Sequence, residues 1–555
     1  MSVHGSIYES VDESVRSYDK PSDEKPQLEQ ESSSPESQPE LQLQKTQTEL
    51  FEEDLSRELS RHSVAASHHD DDGIPIQAME WDSATDPENP LNWPKWKKWG
   101  TTMTVAGICL VVTLGSSLFV CGVPELMVEM HISETLGLAG LTFYLLGLAF
   151  GPAIAAPLSE VFGRKIVYVI SLPLSMLFTM GVGLSSHIRE ILVLRFFAGL
   201  IASPAMAIAG GTITDIWLPQ DQGLAMVSFC LAPLAGPVVG PVIGGYVAER
   251  KGWKWTLWVN LMFAGVLLPF VLVVPETYKQ IIMRKRAKKR SIKIQKPPYT
   301  FGQFMMILLF ITLLKPMQML VVEPIVMVFS VYIAFVFAVL FGFFEAYPVI
   351  FRGTYRMELG NSGLSFLGIG LGLVLGSITF VALDRYVFFK RWPDGYVGMR
   401  DKDGKNLPPT PESRLLACKI GAVAMPISLF WLGWTARRSV HWMAPIAAGV
   451  PFGFGLVLIF FTVITYFAMS YPPLNVASAL AANNLARYVL ACVFPLFTVQ
   501  MYENIGNGWA SSIFGFVALA MVPVPWIFEK YGKQLRSRSR FGFDAQTPKT
   551  DEEKK

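Results

Sequence analysis

Four charged side chains stand within or at the ends of long apolar runs, where charge is costly. Arg195 lies in LVLRFFAGLIASP, Glu323 and Glu345 near the two ends of EPIVMVFSVYIAFVFAVLFGFFEAYP, and Arg487 in ANNLARYVL. Ionisable groups in such surroundings commonly pair, bind or move charge. A carboxyl in a dry cavity can exchange a proton for another cation, so Glu345 is the leading candidate for a proton carrier, against the plainer reading of an edge carboxylate. Arg195 is a permanent cation, which suits a coupling role in a bundle interior. Glu323 reads as an anchor between helices. Asn475, Ser478, Asn483, Asn484 and Arg487 form a polar face on one apolar segment. Such a face lines a path or glues helices together. Tyr332, Glu345, Asn483, Asn484 and Arg487 are therefore the candidates to line a substrate path. No Ser/His/Asp or Cys/His arrangement, metal-ligand spacing or GxxxxGK[ST] loop occurs. Enzyme chemistry, a metal and a cofactor are thus not expected, and ATP does not drive the protein; a gradient does, or transport is passive.

The elements that position these residues follow from composition. Of 555 residues, 51% are hydrophobic and 17% charged. The apolar residues come in runs of about twenty, the length that spans a bilayer as a helix. Twelve runs are expected: 100–121, 138–158, 165–185, 191–214, 223–247, 255–275, 320–347, 361–384, 415–435, 441–467, 472–499 and 508–528. The eleven-residue run 304–314 is too short to span and is placed as an interfacial helix. Residues 1–94 carry 22 acids against 6 bases and are rich in Ser, Glu, Gln and Pro, so they are expected to be a disordered tail. That tail holds no apolar core that would suit a cleavable signal peptide. The five cysteines, Cys109, Cys121, Cys230, Cys418 and Cys492, lie in or beside apolar runs and read as packing residues. Basic residues cluster at 164–165, 284–296, 385–414 and 530–540, all on one side of the expected topology. The positive-inside rule makes that side, with both termini, cytosolic. The expected organisation is a cytosolic tail (1–94), a six-helix bundle (95–278), a basic central loop (279–319), a second six-helix bundle (320–530) and a cytosolic C-terminal tail (531–555).

Two stretches carry backbone signals. In LAGPVVGPVIGGY, Gly236, Gly240 and Gly244 recur at i, i+4 and form one bare face, while Pro233, Pro237 and Pro241 form a second stripe. Such a face is a packing groove or a moving seal. The turn APLSEVFGRK holds Pro157, Glu160, Gly163, Arg164 and Lys165 after Gly151 in the preceding helix. Glu160 beside a base suits a charge-linked latch. Gly376 followed by Asp384-Arg385 faintly repeats this pattern in the second half, as expected for two similar halves.

Taken together these residues resemble the major facilitator superfamily, and within it the fungal drug:proton antiporters of the fluconazole/benomyl-resistance, caffeine-resistance and polyamine-export type. The resemblance runs from about 81 to 540: WDSATDPENPLNWPKWKKW, PLSEVFGRK, LRFFAGLIASP, WKWTLWVN with PETY, PESRL, and the segments around Glu345 and Arg487. It implies an all-α membrane fold of two facing six-helix bundles and a proton-transfer role for Arg195. It makes Gly236, Pro237, Gly240, Pro241, Gly244 and Gly245 an antiporter motif. It further implies export of drugs, polyamines or similar small organic compounds by a monomer, across the plasma membrane or alternatively the vacuolar membrane. Protons, lipid and a small-molecule substrate are the expected partners; nucleic acid is not. Two departures stand out: Gln222 replaces the usual arginine of the loop after the fourth span, and Glu160 replaces aspartate. The competing readings are proton-coupled nutrient uptake on the same fold and a non-transporting nutrient sensor.

Overall fold

The computed structural model describes residues 79–542, except 84, 219–220, 294–301, 303–305, 307–309, 391–395, 397, 401–405 and 408–409, and omits the side chains of 153, 154, 156, 157, 160, 311, 406, 407, 473 and 474. Residues 1–78 of the expected tail and residues 304, 305 and 307–309 of the expected interfacial run lie outside the described residues. Hydrocarbon offers a backbone amide no water, so a spanning segment must satisfy its own N–H and C=O groups as a helix. Among the described residues, twelve helices are long and apolar enough to cross a membrane. The first six are α1 (Lys95–Cys121), α2 (Glu134–Phe162), α3 (Arg164–Leu184), α4 (Ile188–Ile216), α5 (Gln222–Lys251) and α6 (Trp253–Val273). The second six are α7 (Pro324–Pro348), α8 (Leu367–Leu383), α9 (Leu415–Thr435), α10 (Met443–Ser470), α11 (Pro473–Ile505) and α12 (Asn507–Met521). Helical segments Leu359–Leu364 and Val524–Ser537 extend α8 and α12 to spanning length. A short antiparallel pairing of Met399–Arg400 with Asn406–Leu407 lies between α8 and α9. All five cysteines are unpaired, as packing residues should be.

The two bundles repeat each other in their closest contacts. α2 crosses α4 through glycine: a Cβ on Gly199 would lie 2.2 Å from the Tyr144 carbonyl oxygen, and one on Gly151 2.4 Å from Ser203 Cβ. α8 crosses α10 in the same way, with Gly372 against the Val450 carbonyl oxygen and Gly453 against that of Ile369, each at 2.1 Å. Bare backbone lets helices approach where lipid supplies no hydrophobic drive. The turns match as well. Gly252 (φ 89°) joins α5 to α6 and Gly506 (φ 83°) joins α11 to α12. Both adopt the left-handed backbone that a Cβ penalises.

Two elements differ from expectation. Residues 85–94, inside the expected tail, are ordered against the helix Lys279–Lys289 that follows α6. Arg286 donates to Asp86 Oδ2 (2.7 Å) and Oδ1 (3.1 Å) and to Glu88 Oε2 (2.7 and 2.9 Å). Arg290 pairs with Asp82. The Arg286 guanidinium holds the Asp86 carboxyl down at about 2, and Asp86 in turn raises Arg286. The acidity that marks this segment as tail is what binds it to the basic loop. Secondly, the expected span 320–347 breaks at Glu323, between the helix Lys315–Val322 and α7. Glu323 is extended (φ −95°, ψ 106°), because a residue preceding proline avoids helical geometry and Pro324 follows it.

Candidate functional site

Glu345 lies in the last turn of α7, where the bundles meet near the expected outer surface. The pocket beside it encloses about 760 Å³, part of it open to solvent, between Ser117 and Cys121 of α1, Pro241 and Gly245 of α5, and Ser362 and Phe366 at the start of α8. Glu134 and Arg352 stand on its lining. Glu345 is 8% exposed, and its Oε1 has no hydrogen-bond partner. A buried polar atom without a partner costs about 1–3 kcal/mol, and more if charged. A proton or a cation removes that cost.

Arg195 is 1% exposed in α4. It donates to the carbonyls of Gly115 (2.9 Å) and Gly140 (3.2 Å) and sits over the rings of Phe119 (4.3 Å) and Tyr144 (4.4 Å). Arg487 in α11 donates to Asn484 Oδ1 (2.6 Å) and lies against Phe337, Phe460 and Tyr488 at 4.7–5.2 Å. Neither guanidinium pairs with a carboxylate among the described residues. Aromatic faces and carbonyl dipoles carry the charge instead. One Arg195 nitrogen and the Arg487 Nε have no partner.

The path candidates do not converge on one spot. Asn484 joins Arg487, while Asn483 donates to Ser330 of α7 (3.4 Å). Tyr332 is buried with an unpartnered hydroxyl. It lies about 20 Å along α7 from Glu345, at 1.5 Å per residue. Arg195 and Glu345 belong to different bundles and share no contact, but α1 touches both. Gly115 and Phe119 hold Arg195, while Ser117 and Cys121, on the same two turns, line the Glu345 pocket.

The α5 motif divides between two surfaces. A Cβ on Gly236 would lie 2.1 Å from Thr113 Oγ1, one on Gly240 1.9 Å from Ser117 Oγ, and one on Gly244 3.0 Å from Cys121 Sγ. This bare face therefore packs on α1 of its own bundle, and Ser117 Oγ donates to the Gly236 carbonyl (3.0 Å). Pro237 is buried inside α5. Pro241 and Gly245 reach the other bundle: a Cβ on Gly363 would lie 2.1 Å from the Pro241 carbonyl oxygen, and one on Gly245 2.8 Å from that of Leu359. Tyr246 donates to Asn361 Oδ1 (2.9 Å), and the Gly360 N–H donates to Glu249 (2.6 Å). α2 meets α11 where Thr142 Oγ1 donates to the Cys492 carbonyl (3.0 Å). The contact between bundles thus uses Tyr246, Glu249, Asn361 and Gly363, which sequence reading did not single out.

At the other end, Gly163 (φ 92°) turns the chain from α2 to α3. The side chains of Pro157 and Glu160 lie outside those described. Arg164 Nε pairs with Asp215 of α4 (2.6 Å), which also accepts from Thr277 Oγ1 (3.1 Å). Glu276 accepts the backbone N–H groups of Arg164 (3.0 Å) and Lys165 (3.2 Å), capping α3. The second bundle carries a counterpart. Arg414, just before α9, pairs with Asp384 (2.7 Å), and Glu412 pairs bidentately with Arg536 (2.9 and 3.0 Å). Asp215 and the Glu of PETY were visible as residues; nothing local showed that they face Arg164. Gln222 is buried at the start of α5, and a Cβ on the adjacent Gly223 would lie 3.4 Å from Asp384 Oδ2 of the other bundle.

Comparison with known proteins agrees with this architecture. The chain is 54% identical over 502 residues to polyamine transporter 4 of Saccharomyces cerevisiae, covering 87% of this chain and 76% of that one. It is 38% identical over 494 residues to the multidrug transporter mdrA of Aspergillus fumigatus, covering 88% and 79%. Among solved structures, the proton:xylose symporter XylE superposes with a TM-score of 0.57 at 16% identity, over 79% of this chain and 97% of that one, which shows a shared fold. Residues 105–495 match the Major Facilitator Superfamily. With twelve spans and a family match over residues 105–495, the chain belongs to the major facilitator superfamily of membrane transporters.

Proposed function

We propose that this transporter exports polyamines or amphipathic organic cations in exchange for protons, by alternating access across the plasma membrane, as a monomer with both termini cytosolic. The observation that carries the proton coupling is Glu345, a buried carboxyl with an unpartnered oxygen in a pocket between the bundles. One carboxylate there holds a proton or an ammonium group, and each excludes the other. Glu134 on the same pocket adds a second acidic group for an extended polyamine. The names of the similar yeast and Aspergillus proteins support polyamines or drugs as substrates. Opening to the outside breaks the Tyr246–Asn361 and Glu249–Gly360 hydrogen bonds and parts Gly363 from Pro241. α1 then relays the state of the pocket to Arg195, because its residues 115–121 touch both.

The test is spermidine flux in proteoliposomes under an imposed pH gradient. Glu345→Gln is expected to lose gradient-driven accumulation and to keep only weakened passive exchange, through Glu134. Gradient-driven accumulation at the wild-type level in Glu345→Gln rules out this carrier.

A further inference from the structure

The chain that leaves α12 folds back. Residues 539–542 plug the end of the second bundle between the start of α7, the end of α10 and the start of α11. The Arg540 N–H donates to Glu323 Oε1 (2.9 Å), and the Tyr471 hydroxyl to Glu323 Oε2 (3.2 Å). Asn475 Nδ2 donates to the Phe541 carbonyl (2.6 Å). Glu323 is 1% exposed, so this carboxylate depends on those two donors. Ser539 shapes the plug: its Oγ accepts the N–H groups of Phe541 (3.2 Å) and Gly542 (2.9 Å), and the residue is 8% exposed. Added bulk on this buried hydroxyl must displace the Phe541 and Gly542 amides that it accepts. Arg536, Arg538 and Arg540 flank Ser539, whereas Ser537 on the same strand of sequence is exposed.

We propose that Ser539 is a phosphorylation site whose modification ejects the C-terminal plug and frees the Tyr471-Pro472-Pro473 junction between α10 and α11. An arginine-directed protein kinase transfers the γ-phosphoryl group of ATP to Ser539 Oγ, releasing ADP and the hydroxyl proton. The docked hydroxyl is closed to a kinase, so the reaction samples the undocked segment. The product then cannot return, because a near-dianionic phosphate would be buried beside the Glu323 carboxylate. Phosphate on exposed Ser537 meets no such barrier. In cells the site relies on the cytosolic C-terminus proposed above. With purified protein in nanodiscs both faces are open, so the result does not depend on topology.

The experiment is hydrogen exchange on full-length protein in nanodiscs, before and after treatment with the catalytic subunit of cyclic-AMP-dependent kinase and ATP. Phosphate on Ser539, mapped by mass spectrometry, is expected to accompany at least tenfold faster exchange at the Arg540 and Gly542 amides. Ser539→Glu should reproduce this without kinase, and Ser537→Glu should not. Adding Glu323→Gln to Ser539→Glu should recover part of the protection, because the repulsion is removed. Wild-type exchange in both the phosphorylated protein and Ser539→Glu overturns the proposal. So does an equal effect from Ser537→Glu, or phosphate that appears on Ser537 and never on Ser539.

Discussion

Substituting Gly240 by alanine separates two roles for the glycine face of α5. A Cβ there would stand 1.9 Å from Ser117 Oγ and 2.5 Å from Ser117 Cβ, where ordinary contact begins at 3.4 Å. α1 and α5 must part by about 1.5 Å, or Ser117 must leave its bond to the Gly236 carbonyl. Overpacking costs about 1–3 kcal/mol, and the lost helix–helix hydrogen bond adds roughly 0.6 kcal/mol. A total of about 1.6–3.6 kcal/mol corresponds to roughly 15- to 400-fold in an opening equilibrium. The buried thiols of Cys109 and Cys230 report that opening as they react with a maleimide dye. Gly240→Ala is expected to label faster by that factor. Gly265→Ala is the matched control, since nothing lies within 4 Å of its added Cβ. Ser117→Gly in the Gly240→Ala background should restore more than half of the loss, because it removes the atom that collides. Ser117 also lines the Glu345 pocket, so transport should fall together with the packing and recover with it in the double variant. Labelling as slow as in Gly265→Ala, with transport lost, would refute the packing account and return the face to a sliding role.

Other outcomes follow from the same contacts. Gly363→Ala places a Cβ 2.1 Å from the Pro241 carbonyl oxygen across the bundles, so this contact should open and Cys121, on the pocket lining, should react at least tenfold faster with a maleimide. Gln222→Arg puts a cation at the start of α5 near Asp384; a new ion pair of about 1 kcal/mol should slow transport about fivefold, and Asp384→Asn should relieve it. Asp86 is held at about 2 by Arg286, below its ordinary 3.8, so its contribution to the clasp is fully present above 3.8 and lost as pH falls through 2. Contact between residues 85–94 and the Lys279–Lys289 helix, followed by crosslinking, should therefore be unchanged from pH 8 to pH 5. Asp86→Asn should loosen it across that range by about 1.5–3 kcal/mol, since Arg286 keeps Glu88 as a partner.

The spans were legible because the bilayer sets their length and forces each to bond its own backbone. The burial of Arg195 and Glu345 was legible for the same reason: a lone charge in a long apolar run must face protein or a cavity. Partner choice was not legible, because it depends on contacts between distant parts of the chain. The i, i+4 spacing of Gly236, Gly240 and Gly244 predicts a bare face but not that α1 fills it. Arg164 finds Asp215 and a cap from Glu276 some fifty and a hundred residues on. The acidic stretch through Asp82, Asp86 and Glu88 reads as tail until Arg286 and Arg290 are placed beside it. Only the break at Glu323 had a local signal, the proline that follows it.

The most direct measurement of the central claim is proton release on substrate binding. Spermidine is added to purified protein in weakly buffered detergent solution near neutral pH, and the proton count is read against binding. If one carboxyl holds either a proton or the substrate's ammonium group, wild type releases about one proton per spermidine bound and Glu345→Gln releases none. Equal release from the two proteins would contradict competition at Glu345.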